Sequence, residues 1–247
     1  MLDVAQYAVL KKISRTGPSG CSGRAYLGKS KLAILLGAGI FDEISGRTVI
    51  DFGCGDGAEA VEMASQGAGR VIGIDNREEA LTRARLAASQ AGVSDICEFR
   101  TATKEKGEVL ISLDCFEHFE DPAGALDAMH DLLIPGGSVL ASFGPTWYHP
   151  YGGHLFSVFP WAHLIFSERA LIRWRADIRN DGATRFGEVE GGLNQMTIRR
   201  FERIVTKSRF QLDHLEAVPI NRLRWAHNKL TREFTTAIVR CRLRKPA

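Results

Sequence analysis

The sequence has few cysteines and no pair with the Cys-x-x-Cys spacing. Five cysteines are scattered over 247 residues, and an odd, unclustered set argues against a disulfide framework or a cysteine zinc site. The longest apolar stretch, 155–166, falls short of the roughly 20 residues that a membrane helix needs. We see no charged and then apolar signal at the start, so we expect a cytoplasmic protein with reduced thiols.

Charge of one sign does not dominate the chain, because the formal net charge is only +3. The distribution is uneven, since residues 1–150 are net acidic and residues 151–247 net basic. The basic part could attract an anionic substrate, a membrane surface or RNA, although a solvated face is the simpler interpretation. We find no RNA-binding motif or aromatic stacking platform, so RNA is not expected as a partner.

Apolar strands alternate with helical segments from residue 47 onward. We predict strands over 47–52, 70–75, 96–100, 108–114 and 138–143, helices over 58–66, 77–91 and 121–133, and a turn at Pro135-Gly136-Gly137. This order predicts a doubly wound, mostly parallel α/β sheet covered by helices on both faces. A basic helix over 196–210 and strands over 211–218 and 235–244 then predict a hairpin at the edge of the sheet.

Four regions follow from this pattern. Their predicted boundaries are a helical cap at 1–45, an α/β core at 46–145, an inserted lid at 146–195 and a C-terminal part at 196–247. The cap contains a patch rich in glycine and serine, Thr16–Gly23, which we predict to be flexible.

A glycine-rich turn follows the first predicted strand. Gly53 and Gly55 would allow a tight turn and close approach of a ligand to the backbone at the start of a helix. Asp75 ends the second strand, where a carboxylate can accept hydrogen bonds from both hydroxyls of a ribose. A nicotinamide dehydrogenase would satisfy the same glycine pattern, but Asp51 stands where such enzymes prefer an apolar residue.

Four motifs in this order resemble the class I S-adenosylmethionine (SAM)-dependent methyltransferases, including the ubiquinone-type O-methyltransferases. They are VIDFGCGDG at 49–57, VIGID at 71–75, LISLDCFEHFEDP at 110–122 and LLIPGGSVLASF at 132–143. The resemblance implies SAM as the methyl donor and a seven-stranded sheet with an antiparallel last strand. The SAM-binding residues it implies are Asp51, Gly53, Cys54, Gly55, Asp75, Asn76 and Asp114.

An Asp-x-x-Glu-His block follows the fourth strand. Asp114, Glu117 and His118 could hold a divalent cation such as Mg²⁺ or Zn²⁺, with His154 of the lid as our preferred fourth ligand among His149, His154 and His163. Alternatively, His118 is a general base that needs no metal, with His154 as the second candidate. In the third interpretation, Glu117 and His118 only shape the floor of the pocket.

The lid is rich in aromatic residues. It could form an aromatic or apolar substrate pocket that excludes water, a small core of its own, or both. Peripheral membrane contact through 155–166, next to Arg169 and Arg173, is a further hypothesis.

We therefore predict a methyltransferase that acts on a hydroxyl oxygen of a small molecule. Methylation of carbon or nitrogen, RNA 2′-O-methylation, SAM binding without catalysis and a nicotinamide dehydrogenase remain the alternatives.

Overall fold

The computed structural model describes residues 2–13, 28–179, 181–189 and 191–247. The predicted flexible patch Thr16–Gly23 lies outside these ranges. The α-helices are α1 Leu2–Ile13, α2 Lys31–Leu36, α3 Ile40–Ile44, α4 Ala58–Ser65, α5 Glu78–Gln90, α6 Pro122–Asp131, α7 Ala162–Ile165, α8 Glu168–Ala176, α9 Ile198–Lys207 and α10 Arg232–Thr235. The strands are β1 Thr48–Phe52, β2 Arg70–Ile74, β3 Cys97–Arg100, β4 Gly107–Leu113, β5 Leu133–Phe143, β6 Gln211–Pro219 and β7 Thr236–Arg244.

The seven strands form one sheet in the order β3-β2-β1-β4-β5-β7-β6. Neighbouring strands from β3 to β5 pair in parallel, whereas β7 is antiparallel to both β5 and β6. This confirms the predicted doubly wound, mostly parallel sheet. Because the chain order reverses between β1 and β4, the carboxyl ends of these two strands flank a crevice, the usual place for a ligand in such a fold.

Local sequence fixes the start of α6, the helix that follows β4. The side chain of Asp121 accepts hydrogen bonds from the backbone N–H groups of Ala123 and Gly124, and Pro122 occupies the first turn of α6.

Apolar side chains on both faces of the sheet build two core clusters, one on the side of α4 and α5 and one on the side of α6 and α9. The sheet is thus a rigid support for the loops at its carboxyl edge.

One local prediction was wrong. Pro135-Gly136-Gly137 is not a separate turn before the fifth strand, because β5 already begins at Leu133 and shifts its register against β4 before Ser138. The predicted hairpin at the edge of the sheet is confirmed, and residues 220–235 connect β6 to β7 through a 3₁₀ helix and α10.

The lid residues contain short helices and form a separate apolar cluster. Phe156, Trp174 and Phe186 are buried there together with Leu10 of α1. Arg173 of α8 lies over the ring of Tyr7, 4.2 Å from its centroid, so α1 packs on the lid. Most of the aromatic side chains of the lid therefore fill a small core of their own. Among the described residues, no helix combines the length and the apolarity needed to cross a bilayer.

Candidate active site

The glycine-rich turn after β1 is anchored to the end of β2. The backbone N–H groups of Gly53 and Cys54 both donate to the carbonyl oxygen of Ile74, at 2.8 and 3.0 Å. Gly53 and Gly55 have φ values of 85° and 52°, which glycine adopts without a steric penalty. The turn is therefore held tightly against the end of β2, and Gly53, Cys54 and Gly55 line the crevice.

Asp75 stands at the end of β2 beside this turn. Its Oδ2 accepts a hydrogen bond of 2.9 Å from the backbone N–H of Gly55, and both carboxylate oxygens contact the Arg77 guanidinium. Burial alone would raise the pKa of Asp75, but the hydrogen bonds from Arg77 and Gly55 hold it below its ordinary value. The Arg77 side chain is 60% exposed, so it can swing aside and free an oxygen for a ribose hydroxyl.

Asp51 is the most unusual carboxylate of the crevice. It is only 4% exposed, and its Oδ2 has no hydrogen-bond partner within the described residues. Burial, supported by the charge of Glu59, raises the pKa of Asp51 to about 8. A buried carboxylate without a partner is costly, and a positively charged ligand group would satisfy it.

Lys31 is a component of the site that sequence reasoning missed. It reaches the crevice from α2, where its Nζ lies 3.0 Å from Asp114 and 3.6 Å from Glu59. Burial would lower the pKa of Lys31, but these two carboxylates raise it above its ordinary value. The sequence offered no signal for it, because α2 is short and precedes the first strand.

These residues enclose a cavity of about 370 Å³. Its walls carry both signs of charge and come from α2, from the turn after β1 and from the end of β4. The lining residues are Lys31, Asp51, Gly53, Cys54, Gly55, Asp56, Ala58, Glu59, Arg77, Arg83 and Leu113. Asn76, one of the residues implied to bind the cofactor, is exposed and is not part of this lining.

Three of the four proposed metal ligands come together next to this cavity. Ligand atoms of Glu117, His118 and His154 lie within 4.8 Å of one another. Asp114, the fourth, is not in this group, and its Oδ2 contacts Lys31 instead. Asp114 and His154 both have left-handed backbones, with φ values of 54° and 49°, an uncommon conformation that concentrates at functional sites.

The His118 ring is held by the backbone of the lid. Its Nδ1 lies 2.8 Å from the carbonyl oxygen of Gly192. A carbonyl oxygen can only accept, so Nδ1 carries a hydrogen. In the neutral ring, Nε2 is then the nitrogen with the free lone pair.

Glu117 and His154 both present unsatisfied polar atoms in this region. Glu117 is 2% exposed, and its Oε1 accepts a hydrogen bond of 3.0 Å from the backbone N–H of Gly144. Glu117 Oε2, His154 Nδ1 and Asp114 Oδ1 are buried and have no partner in the part of the chain that the structure describes. Burial, with the neighbouring Asp114, raises the pKa of Glu117 to about 8, and burial lowers that of His154 to about 4.

The other two lid histidines, His149 and His163, make hydrogen bonds within the lid. His163 is buried, and its Nε2 lies 2.6 Å from the carbonyl oxygen of Trp147. The Nδ1 of His149 accepts a hydrogen bond of 2.9 Å from the backbone N–H of Tyr151. Of the three candidates, the structure brings only His154 to Glu117 and His118.

A second cavity of about 820 Å³ lies at the C-terminal part of α2. Ile34 and Leu35 of α2 line it, while Lys31 of the same helix lines the first cavity. The remaining lining is mixed apolar and polar and comes from the lid, the residues after β5, the end of β6 with the segment that follows it, and β7. These residues are Gly144, Pro145, His149, Tyr151, Val218, Pro219, Ile220, Asn221, Arg222, Ala237, Ile238 and Arg240.

Comparisons with known proteins agree with this fold. Residues 50–141 match the family model described as "Methyltransferase domain". A SAM-dependent methyltransferase from Mesorhizobium loti is 21% identical, with 82% of this chain and 93% of that chain covered and a TM-score of 0.55. A magnesium protoporphyrin IX methyltransferase from Synechocystis PCC 6803, solved with bound S-adenosylhomocysteine (SAH), is 15% identical, with 99% and 95% covered and a TM-score of 0.57.

The curated relatives match over a shorter region. The ubiquinone biosynthesis O-methyltransferase of Pseudomonas paraeruginosa is 38% identical over 107 residues, which are 40% of this chain and 45% of the relative. The chain thus spans less than half the length of that relative. Residues 50–141 are thus similar to a methyltransferase domain. The chain as a whole has the fold of these SAM-dependent methyltransferase structures.

Proposed function

We propose that this protein transfers the methyl group of SAM to a hydroxyl oxygen of a small molecule. The observation that carries the proposal is a row of unsatisfied buried polar atoms along the carboxyl edge of β1 and β4. They belong to Asp51, Asp114, Glu117 and His154. Unsatisfied buried polar groups are rare in folded proteins, and a group of them beside a cavity is best accounted for by ligands.

Two residues of the first cavity fit the amino-acid part of SAM, since Lys31 would pair with its carboxylate and Asp51 with its ammonium group. Asp75 does not line this cavity, but its contact with Gly55 holds it beside the turn, where its carboxylate would accept hydrogen bonds from the ribose hydroxyls. When bound, SAM supplies a methyl group that its sulfonium already activates. The protein then has to align the acceptor and remove its proton.

His118 is the group that we assign to proton removal. Its Nδ1–H is held by Gly192, so Nε2 can take the proton from an acceptor hydroxyl. His154, whose pKa is lowered to about 4, is neutral at pH 7 and can accept a hydrogen bond from the same hydroxyl. Neither His118 nor His154 lines the second cavity, so an apolar or aromatic acceptor that fills this cavity would have to extend its hydroxyl beyond the lining toward the two histidines.

Replacing Lys31 with methionine is expected to weaken the binding of SAH by about tenfold, because a partly buried charge-assisted contact is lost. Isothermal titration with SAH measures the effect. Lys29→Met is the matched control, since Lys29 is exposed nearby and does not line the cavity. Equal affinities of the two variants would contradict the role of Lys31.

Glu117, His118 and His154 could instead hold a divalent cation that lowers the pKa of the acceptor hydroxyl. One carboxylate and two imidazoles suit Zn²⁺ better than Mg²⁺. However, Glu117 has a pKa raised to about 8, so a cation there would have to displace a proton at pH 7, as the ammonium group would at Asp51. In addition, Asp114, the fourth predicted ligand, contacts Lys31 and is not in the group. We therefore expect methyl transfer to survive dialysis against 1,10-phenanthroline and EDTA. Activity lost on dialysis and restored by Zn²⁺, with stoichiometric metal by mass spectrometry, would contradict the metal-free assignment.

The acceptor atom is tested with labelled SAM and matched probes. Catechol, aniline and an activated methylene compound of similar size offer oxygen, nitrogen and carbon, and a short RNA duplex tests 2′-O-methylation. We expect methylation of the catechol oxygen.

Titration with SAM and with NAD separates a methyltransferase from a dehydrogenase. Tight SAH binding without methyl transfer to any probe would favour a binding protein.

A further inference from the structure

The segment 220–230, which connects β6 to α10, carries two strongly exposed apolar side chains. Trp225 is 86% exposed and Leu230 is 84% exposed, more than any other large hydrophobic side chain in the described part of the chain. By comparison, the apolar stretch 155–166 that the sequence suggested for membrane contact buries Phe156 and Ala162 and exposes Ile165 to 60%. Exposed apolar groups of this size on one short segment mark an interaction surface.

Local geometry holds Trp225 outward. Asn221–Ala226 is a 3₁₀ helix, in which side chains three residues apart share a face. Leu223 and Ala226 occupy the half-buried face, whereas Arg222 and Trp225 share an exposed one. The exposure of Trp225 is thus a consequence of the helix register.

Leu230 is held by a turn with its own hydrogen bonds. The side-chain oxygen of Asn228 accepts hydrogen bonds from the backbone N–H groups of Leu230 and Thr231, at 2.8 and 3.2 Å. The hydroxyl of Thr231 in turn donates to the carbonyl oxygen of Ala226. This Asx turn presents Leu230 on the same connection as Trp225.

The charge around these two side chains has one sign. Arg222, Arg224 and Lys229 are exposed, and the sequence contains no Asp or Glu from residue 217 to residue 232. A second copy of the segment would bring like charges together, which opposes self-association. Tryptophan and leucine next to arginine and lysine suit the interface of a membrane with anionic lipids.

The segment also lies at the functional edge of the sheet. Because β6 and β5 are both antiparallel to β7, β6 runs in the direction of β5 and ends at the carboxyl edge. Asn221 and Arg222 line the second cavity. Segment 220–230 therefore begins at the wall of that cavity.

We propose that segment 220–230 docks on a lipid surface that carries anionic headgroups. Trp225 and Leu230 enter the headgroup region, and Arg222, Arg224 and Lys229 contact lipid phosphates. This contact does not depend on methyl transfer, so its test is independent of the test of the proposed function.

Sedimentation with vesicles tests the proposal. The full chain is mixed with sucrose-loaded phosphatidylcholine vesicles with and without 30% phosphatidylglycerol, a composition chosen as roughly cell-like in charge. We expect binding to the anionic vesicles that weakens with salt. Trp225→Ala is expected to lower the partition coefficient about tenfold, and Arg224→Gln about fivefold.

Two matched controls and a fluorescence measurement complete the design. Leu86→Ala removes a leucine that is 58% exposed on α5, and Arg203→Gln removes an exposed arginine of α9; both should bind like the wild type. Brominated lipid should quench the wild type more than Trp225→Phe, a variant that keeps an aromatic ring.

Several outcomes would overturn the proposal. They are no binding of the wild type to anionic vesicles, equal binding to neutral vesicles, or losses in the controls as large as those in segment 220–230. Retention by a single-stranded oligonucleotide without vesicle binding would point to nucleic acid, and a dimer that Trp225→Ala dissociates would point to a second copy of the chain.

Discussion

Replacing Asp51 with asparagine is expected to stabilise the ligand-free protein at pH 8 and to weaken SAM binding by 10–100-fold, an order-of-magnitude range for a buried charge-assisted contact. Burial raises the pKa of Asp51 from 3.8 to about 8. Between these two values, the folded protein keeps a proton that the unfolded chain releases. The free energy of unfolding therefore falls as the pH rises through this window.

Asparagine carries no charge, so Asp51→Asn should remove much of that fall. The gain is expected to be on the order of 2 kcal/mol at pH 8 and close to zero at pH 4. Part of the pH dependence will remain, because Glu117 has a pKa raised to about 8 with the same sign. Urea denaturation at pH 4, 6 and 8 measures the stability, and isothermal titration measures the affinity.

Asp56→Asn is the matched control for this variant. Asp56 lines the same cavity, but it is exposed and paired with Arg83, and such surface pairs contribute little to stability. We expect Asp56→Asn to change neither quantity by much. If Asp51→Asn bound SAM as tightly as the wild type, Asp51 would not contact the ammonium group.

The glycine-rich crevice could be predicted from sequence because it is local. Gly53, Gly55 and Asp75 follow strands whose apolar patterns are easy to recognise, and parallel strands bring their carboxyl ends together. Asn76 is the exception, since it follows Asp75 directly but points to solvent. A position in a motif does not determine where a side chain points.

The remaining parts depend on contacts between residues far apart in the chain. Lys31 meets Asp114 across more than 80 residues, and Leu10 of α1 packs into the lid core. Neither contact leaves a periodic pattern in a single sequence. The same limit explains Asp114, which the motif grouped with Glu117 and His118. Its Oδ2 contacts Lys31, and Asp114 is not among the residues whose ligand atoms lie within 4.8 Å of one another.

Replacing His118 with alanine is expected to lower kcat by a factor of about 10²–10⁴, the usual contribution of a general base. His118 does not line the cofactor cavity, so the affinity for SAH should change little. A lower kcat with an unchanged affinity for SAH distinguishes proton removal from a packing role. A packing role would lower the stability of the protein and its affinity for both SAH and the acceptor. His214→Ala is the control, because His214 is exposed on β6.

His118→Gln separates the two roles further. Glutamine fills similar space and can still donate a hydrogen bond to the carbonyl oxygen of Gly192, but it cannot take a proton near neutral pH. If His118 only supported the lid, His118→Gln would recover most of the rate. If it is the base, His118→Gln should be as slow as His118→Ala with the stability of the wild type. His154→Ala should cost less, because the neutral His154 ring only positions the acceptor hydroxyl. If His154→Ala lowered kcat more than His118→Ala, His154 would be the group that removes the proton and His118 the group that positions the hydroxyl.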